Sequence, residues 1–299
     1  MKVFITGATG YIGGSVAARL AADGHEIRGL VRDNAKAKLL VSLGIEPVLG
    51  SLDDPAILAK EAGRADAVVS AADADHRPSL EALVEALAET GKALIHTSGS
   101  SVVGDDARGN RLSAAVFDEA TPFVVEPRKQ ARHDINTMLL AAAARNVRTT
   151  VICPSLIYGV GKGLNPNSIQ IPFLVNEARK SGVARVVGQG LNCWSTVHIE
   201  DLEDLYRLAL QDAPAGSFYF AENGEASFAD IGKAIAARLG LGAVESWEAD
   251  EAAAQWGPAR AYYTFGSNSR VRAVRARQEL NWAPRHDSAI TWIQSEMPL

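Results

Sequence analysis

Apolar, strand-like runs alternate with longer amphipathic stretches through the first half of the chain. Lys2 to Thr6, Glu26 to Val31, Pro47 to Leu49, Ala67 to Ser70, Ala93 to Thr97 and Thr149 to Cys153 read as strands. Between them, Gly13 to Asp23, Asn34 to Leu43, Pro55 to Ala62 and Ser79 to Thr90 carry apolar residues three and four apart, the period of a helix with one buried face. A fifth helix, Arg128 to Arg145, leads into the strand containing Cys153. This alternation predicts an α/β fold, a doubly wound parallel sheet of the Rossmann type with helices on both faces. After Tyr158 the pattern changes. Gly159-Val160-Gly161-Lys162-Gly163 and Asn165-Pro166-Asn167 form a flexible connection, followed by a helix around Ile171 to Ser181. The pattern therefore assigns residues 1–158 to a dinucleotide-binding domain, to which 193–213 return. A smaller, partly discontinuous C-terminal substrate lobe takes mainly 159–192 and 214–299.

The first strand runs directly into Thr6-Gly7-Ala8-Thr9-Gly10-Tyr11-Ile12-Gly13. Each glycine has a geometric reason to be there. Gly7 permits the tight turn off the strand, Gly10 lets the backbone approach a pyrophosphate, and Gly13 lets helix and strand pack closely. Phosphates then sit on free N–H groups at a helix N-terminus.

Composition narrows the function. The chain has 299 residues, 47% of them hydrophobic, and a formal net charge of −5, so it can bury a full core and offers no basic footprint for nucleic acid or an anionic membrane. A small-molecule partner is expected. Cys153 and Cys193 are the only cysteines and have no metal-ligand spacing, so they read as buried thiols and no metal site is expected. The first strand begins at Lys2 and no apolar run reaches membrane-spanning length, which makes the cytoplasm the expected location; a monomer or homodimer is expected.

Further landmarks follow in order: Gly50-Ser51-Leu52-Asp53-Asp54-Pro55, Thr97-Ser98-Gly99-Ser100-Ser101-Val102-Val103-Gly104, Pro154-Ser155-Leu156-Ile157-Tyr158-Gly159, Val197-His198-Ile199-Glu200-Asp201-Leu202 and Glu279-Leu280-Asn281-Trp282-Ala283-Pro284. Across essentially the whole chain this resembles an extended short-chain dehydrogenase/reductase of the nucleoside-diphosphate-sugar epimerase type. The resemblance implies that Gly7, Thr9, Gly10, Tyr11, Ile12 and Gly13 form the phosphate turn, and that Ser51 and Leu52 flank the adenine. It also implies that Ala71 and Ala72 line the phosphate and ribose path, and that Thr97, Pro154 and Leu156 border the cofactor. Ser51 departs from the family, which usually has Asp there.

At the end of the second strand, Arg32 is the first charged residue, about twenty residues past the glycines, where an acidic residue would bind a ribose 2′-hydroxyl. A guanidinium matches a 2′-phosphate instead, with Lys36 one turn on, so NADP(H) is expected in preference to NAD(H). Asp33 beside it is the residue that would serve NAD.

The resemblance also implies a Tyr-x-x-x-Lys pair on the fifth helix and a Ser or Thr before it. Counting places the pair at Arg128 and Arg132, within one residue, and the hydroxyl at Gly99. None of the three residues is of the family's type. Arginine does not release a proton at neutral pH, so Arg128 serves as an electrostatic donor or carboxylate clamp and Arg132 as the ribose ligand. Ser98 or Ser100 is positioned to replace the missing hydroxyl, and Tyr158, His133 or a water to supply the proton. Tyr158 and Lys162 share the motif's spacing, but in a glycine-rich loop that does not align them on a helix face. Asp201 reads as a helix cap and His198 as a hydrogen bond between lobes.

The function expected is an NADP-dependent oxidoreductase acting on a small carbonyl or hydroxyl compound through an atypical site. Two arginines facing the cleft would favour an anionic ligand. A non-catalytic NADP(H)-binding redox sensor or regulatory protein and a sugar-nucleotide epimerase or dehydratase are the alternatives.

Overall fold

The computed structural model describes residues 1–299. Its strands are β1 (Lys2–Thr6), β2 (Glu26–Val31), β3 (Glu46–Leu49), β4 (Ala67–Ser70), β5 (Ala93–Thr97), β6 (Arg148–Pro154), β7 (Leu156–Tyr158), β8 (Arg185–Val187), β9 (Cys193–His198), β10 (Ser217–Ala221), β11 (Glu225–Ser227) and β12 (Glu245–Trp247). Seven of them form one parallel sheet in the order β10-β6-β5-β4-β1-β2-β3. The order reverses between β1 and β4, which opens a crevice at their C-terminal ends, where open α/β sheets bind ligands.

The helices are α1 (Tyr11–Ala22), α2 (Asn34–Ser42), α3 (Pro55–Arg64), α4 (Arg77–Leu87), α5 (Gln130–Ala141), α6 (Gln170–Ser181), α7 (Ile199–Asp212), α8 (Phe228–Leu239), α9 (Ala249–Trp256), α10 (Val274–Glu279) and α11 (Ala289–Ser295). One face of the sheet is buried under α1 and α7, with Val16, Leu20, Leu202 and Leu205 packed on Val3, Ile5 and Ile95. The other lies under α3, α4 and α5, where Leu58, Leu83 and Leu139 meet Phe4, Val68 and Leu94. A separate core of Tyr158, Phe228, Trp256, Phe265 and Trp292 holds the second lobe. No helix is long and apolar enough to cross a membrane.

Three expectations need correction. The predicted helix Arg128 to Arg145 is α5 flanked by 3₁₀ turns at Pro127–Lys129 and Ala142–Arg145. Neither α5 nor its leading turn has a side-chain N-cap, and Asn146 ends the segment in the left-handed region at φ 53°. Within 193–213, α7 does pack on the large sheet, but β9 pairs with β7 and β11 in a separate three-stranded sheet. Conversely β10, inside the stretch assigned mainly to the smaller lobe, extends the large sheet beside β6, because Tyr219, Phe220 and Ala221 are all buried.

Candidate functional site

The turn between β1 and α1 is built by steric exclusion. Gly7 has φ +80°, and a Cβ there would lie 2.6 Å from the Ala71 carbonyl carbon. A Cβ on Gly13 would strike the Gly7 carbonyl, and one on Gly10 would come within 3.2 Å of the same oxygen. Only glycine allows α1 to start this close to β4. The helix N-cap, Gly10, contributes no capping side chain, and the first turn holds no acidic residue, so its leading N–H groups have no partner of opposite charge. That arrangement fits a pyrophosphate. Thr9 and Ile12 are partly exposed around it, and Ala71 and Ala72 border it. Tyr11 is buried instead, its hydroxyl donating to the carbonyls of Tyr158 and Gly159 at 3.1 and 2.9 Å. It braces α1 against the lobe connection.

At the far end of the crevice, Arg32 is exposed at the end of β2 and Lys36 is exposed in α2. The Asp33 carboxylate is committed to capping α2, accepting the Lys36 N–H at 2.8 Å. Ser51 donates its hydroxyl to Asp53 at 3.0 Å, and Leu52 is half-buried beside it.

Near α5 the crevice holds a different set of charges. Arg132 forms a bidentate pair with Asp75 from the loop after β4, its Nε donating at 2.8 Å and its Nη2 to the second oxygen. Its Nη1 lies 3.4 Å from the Ser101 hydroxyl, and a Cβ on Gly99 would come within 3.3 Å of it. Thus Arg132 occupies ground that the glycine leaves open. Arg132 holds the Asp75 carboxyl below its usual range through these hydrogen bonds. Lys129 sits one turn earlier, and burial, then the Arg132 charge, push its ammonium down to about 8. Beneath them His96 on β5 is buried with both ring nitrogens unpartnered, and burial followed by Arg132 lowers it to about 4.

The other expected residues divide sharply. Arg128 turns away from Arg132 and lays its guanidinium over the Tyr263 ring of the second lobe, so no converging pair of free positive charges forms. His133 is partly exposed and meets Phe123 edge-to-face at 5.9 Å. Ser98 is buried, and Ser100 shares a hydrogen bond with Ser269 at 2.8 Å. Thr97 is closed by a 2.6 Å hydrogen bond to Tyr206. Pro154 and Leu156 are buried at the ends of β6 and β7. Tyr158 is wholly buried, its ring 5.1 Å from His198 and 5.9 Å from Trp292; it lies in the second-lobe core and offers no proton to the crevice. Lys162 pairs with Glu200 and Glu203 at 3.1 and 3.2 Å, apart from Tyr158. Both cysteines are free and buried.

The roles of His198 and Asp201 are exchanged. His198 caps α7, its Nδ1 accepting the Glu200 N–H at 3.3 Å, while Asp201 accepts the N–H groups of Arg285 and His286 at 3.0 and 2.9 Å. His198, Glu200 and His286 bring possible ligand atoms within 4.8 Å of one another. The two rings are stacked at 3.9 Å, however, so their in-plane lone pairs do not converge on one ion.

Lys129, Asp75, Ser101 and Tyr263 are the site residues that the sequence reading passed over. A one-residue shift of the expected pair would have put Lys129 with His133, not with Arg132, which lies only three residues on. Asp75 and Tyr263 gave no signal, since their contacts span 57 positions to Arg132 and more than a hundred to Arg128.

Comparison with known proteins places this geometry. The oxidase ucsJ of Acremonium sp is 35% identical over 324 residues, which cover 95% of this chain and 92% of that protein. The 4-hydroxy-2-methyl-3-oxo-4-farnesyl-3,4-dihydroquinoline-1-oxide ketoreductase of Stigmatella aurantiaca is 27% identical over 237 residues, covering 75% of this chain and 69% of the relative. The dTDP-glucose 4,6-dehydratase of Bacillus anthracis str. Ames, solved in complex with NAD, shares the fold with a TM-score of 0.77 at 18% identity, over 99% of this chain and 97% of that one. Residues 3–219, the sheet with its crevice and α5, match the NAD dependent epimerase/dehydratase family, and the chain belongs to that family as an enzyme of the short-chain dehydrogenase/reductase type.

Proposed function

We propose that the enzyme is an NADP(H)-dependent oxidoreductase that interconverts a small carbonyl compound and its alcohol, with Lys129 replacing the family tyrosine. The observation that carries this is Lys129 at the head of α5, one turn from Arg132 and with its ammonium lowered to about 8. When bound, the cofactor supplies the hydride for reduction or accepts it in oxidation. The phosphate turn holds its pyrophosphate, and Arg132 with Asp75 meets the ribose hydroxyls. Arg32 and Lys36 favour a 2′-phosphate, because the one nearby acid, Asp33, already caps α2. The Lys129 Nζ gives its proton to the oxygen on which charge develops and regains one from solvent, while Arg132 and the Ser101 hydroxyl stabilise that charge. The names of an oxidase and a ketoreductase among the relatives support hydride chemistry.

A screen of aldehydes, ketones and keto acids that follows NADPH consumption tests the reaction class. Arg32→Ala is expected to weaken NADPH about ten- to hundredfold and leave NADH nearly unaltered. Equal loss for both cofactors, or tighter NADH binding by the unmodified enzyme, would overturn the cofactor assignment.

A further inference from the structure

A cavity of about 600 Å³ opens between Val103 and Gly104, the segment 111–126, and Arg270. One side of it is apolar: Phe117 and Phe123 meet edge-to-face at 5.8 Å, with Pro122 and Val124 beside them. Val124 is 94% exposed, a branched apolar side chain left in water at the mouth. The arginines of the lining are already neutralised, Arg111 by Asp105 at 3.2 Å and Arg270 by Glu225 at 2.8 Å. Glu126 has no ion-pair partner and would repel a carboxylate. The inner end adjoins the site described above: Gly104 closes the 3₁₀ turn that carries Ser101, Glu126 lies two residues before Arg128, and Phe123 packs on the His133 ring.

We propose that this cavity binds an uncharged apolar chain on the carbonyl substrate, with the reacting carbon at Lys129 and Arg132 and the chain running past Gly104 towards Val124. This rests on the oxidoreductase reading, but the binding preference itself needs no turnover. The volume and the aromatic side suit it, since pockets of this size hold small ligands mainly through apolar contact, and the paired arginines opposite leave no free cation along the chain. A carboxylate far along the chain meets no free cation on this wall, whereas one at the reacting end would lie beside the Lys129 ammonium.

The test is calorimetric binding of 2-alkanones from butan-2-one to decan-2-one in the presence of NADP⁺, with 9-oxodecanoate, a methyl ketone whose carboxylate lies at the far end of the chain, as the charged probe. Steady-state NADPH consumption with the same ketones runs in parallel. Each added methylene is expected to lower Kd about three- to fourfold, and 9-oxodecanoate to bind at least about tenfold more weakly than decan-2-one. Val124→Asp, at a position too exposed to disturb folding, should flatten the dependence on chain length. A Kd independent of chain length, equally tight 9-oxodecanoate, or an undiminished slope in Val124→Asp overturns the proposal. Chain-length-dependent binding without NADPH consumption by any ketone would keep the cavity assignment and remove the reductase reading. Consumption with a KM indifferent to chain length, and no graded binding, would do the reverse.

Discussion

In the proposed reaction the chemistry would turn on Lys129, whose environment sets both its charge and its ability to lose it. Burial disfavours the Lys129 ammonium, and Arg132 adds repulsion that Asp75 only partly answers. An ordinary lysine near 10.4 would be a poor proton donor at neutral pH, whereas one at about 8 exchanges its proton readily. Reduction needs the protonated form, so kcat for carbonyl reduction should fall as pH rises through about 8. Lys129→Met is expected to lower kcat about a hundredfold or more and to abolish that alkaline limb. Lys129→Arg separates charge from proton transfer, because it keeps the cation but does not release a proton. If Lys129→Arg retains wild-type kcat, the residue acts as a charge and the proton comes from elsewhere. Asp75→Asn should lower the limb further, since it removes the one carboxylate that stabilises the ammonium while leaving Arg132 in place.

Among the elements, those with a strong local rule were legible in the sequence. Strands β1, β2, β4 and β5 begin and end where the apolar runs do, because a strand covered on both faces admits few polar residues. The phosphate turn was equally readable, since its glycines answer to local sterics. What escaped depends on distant partners. The strand β10 has an apolar run like any other, and only its register against β6 puts it in the large sheet. His198 and Asp201 both suit a cap, and the approach of Arg285 and His286 decides which one serves. The Arg132 and Asp75 pair depends on a loop and a helix brought together by the sheet, a contact that no spacing encodes. The legible turn carries its own test. Alanine at Gly13 would gain up to about 1 kcal/mol in helix propensity, but its Cβ strikes the Gly7 carbonyl, and overpacking against backbone costs about 1–3 kcal/mol. Gly13→Ala should therefore lower the urea midpoint and weaken NADPH at least about tenfold. Tyr11→Phe, which loses only the brace to the Tyr158 and Gly159 carbonyls, should lower stability by about 1–2 kcal/mol and largely spare cofactor affinity. Equal loss of NADPH affinity in both variants would mean that the turn is set by the lobe connection and not by its glycines.

For the molecule as a whole, buried polar contacts join the two lobes, and buried titratable groups within and between them link stability to pH. Ser100 bonds Ser269 across the interface, and Lys162 in the lobe connection reaches Glu203 on α7. His96 lies within the large sheet and His198 between the lobes. Both are held neutral: burial first, then Arg132 for His96 and His286 for His198, lowers each to about 4. An unfolded histidine takes its proton near 6.5. Between these values the unfolded chain binds more protons than the native one, so stability rises with pH and is lost as pH falls from about 6.5 towards 4. Near pH 5 each histidine should withdraw about 2 kcal/mol. Glu203 works in the opposite sense, because burial raises it to about 7 against the pull of Lys162, and its contribution weakens as pH rises from about 4.5 to 7. The wild-type curve therefore sums opposing slopes, and only a difference isolates one group. His96→Leu keeps an apolar side chain of comparable size on β5 and removes the titrating ring. Urea unfolding near pH 7 and pH 5 should show the acid loss reduced by about 2 kcal/mol relative to wild type, with the Glu203 contribution cancelling between the two proteins. An unaltered acid loss in His96→Leu would mean that the native His96 accepts its proton at an ordinary pH, and that the ground beneath Arg132 and Lys129 is wet enough to hold a third positive charge.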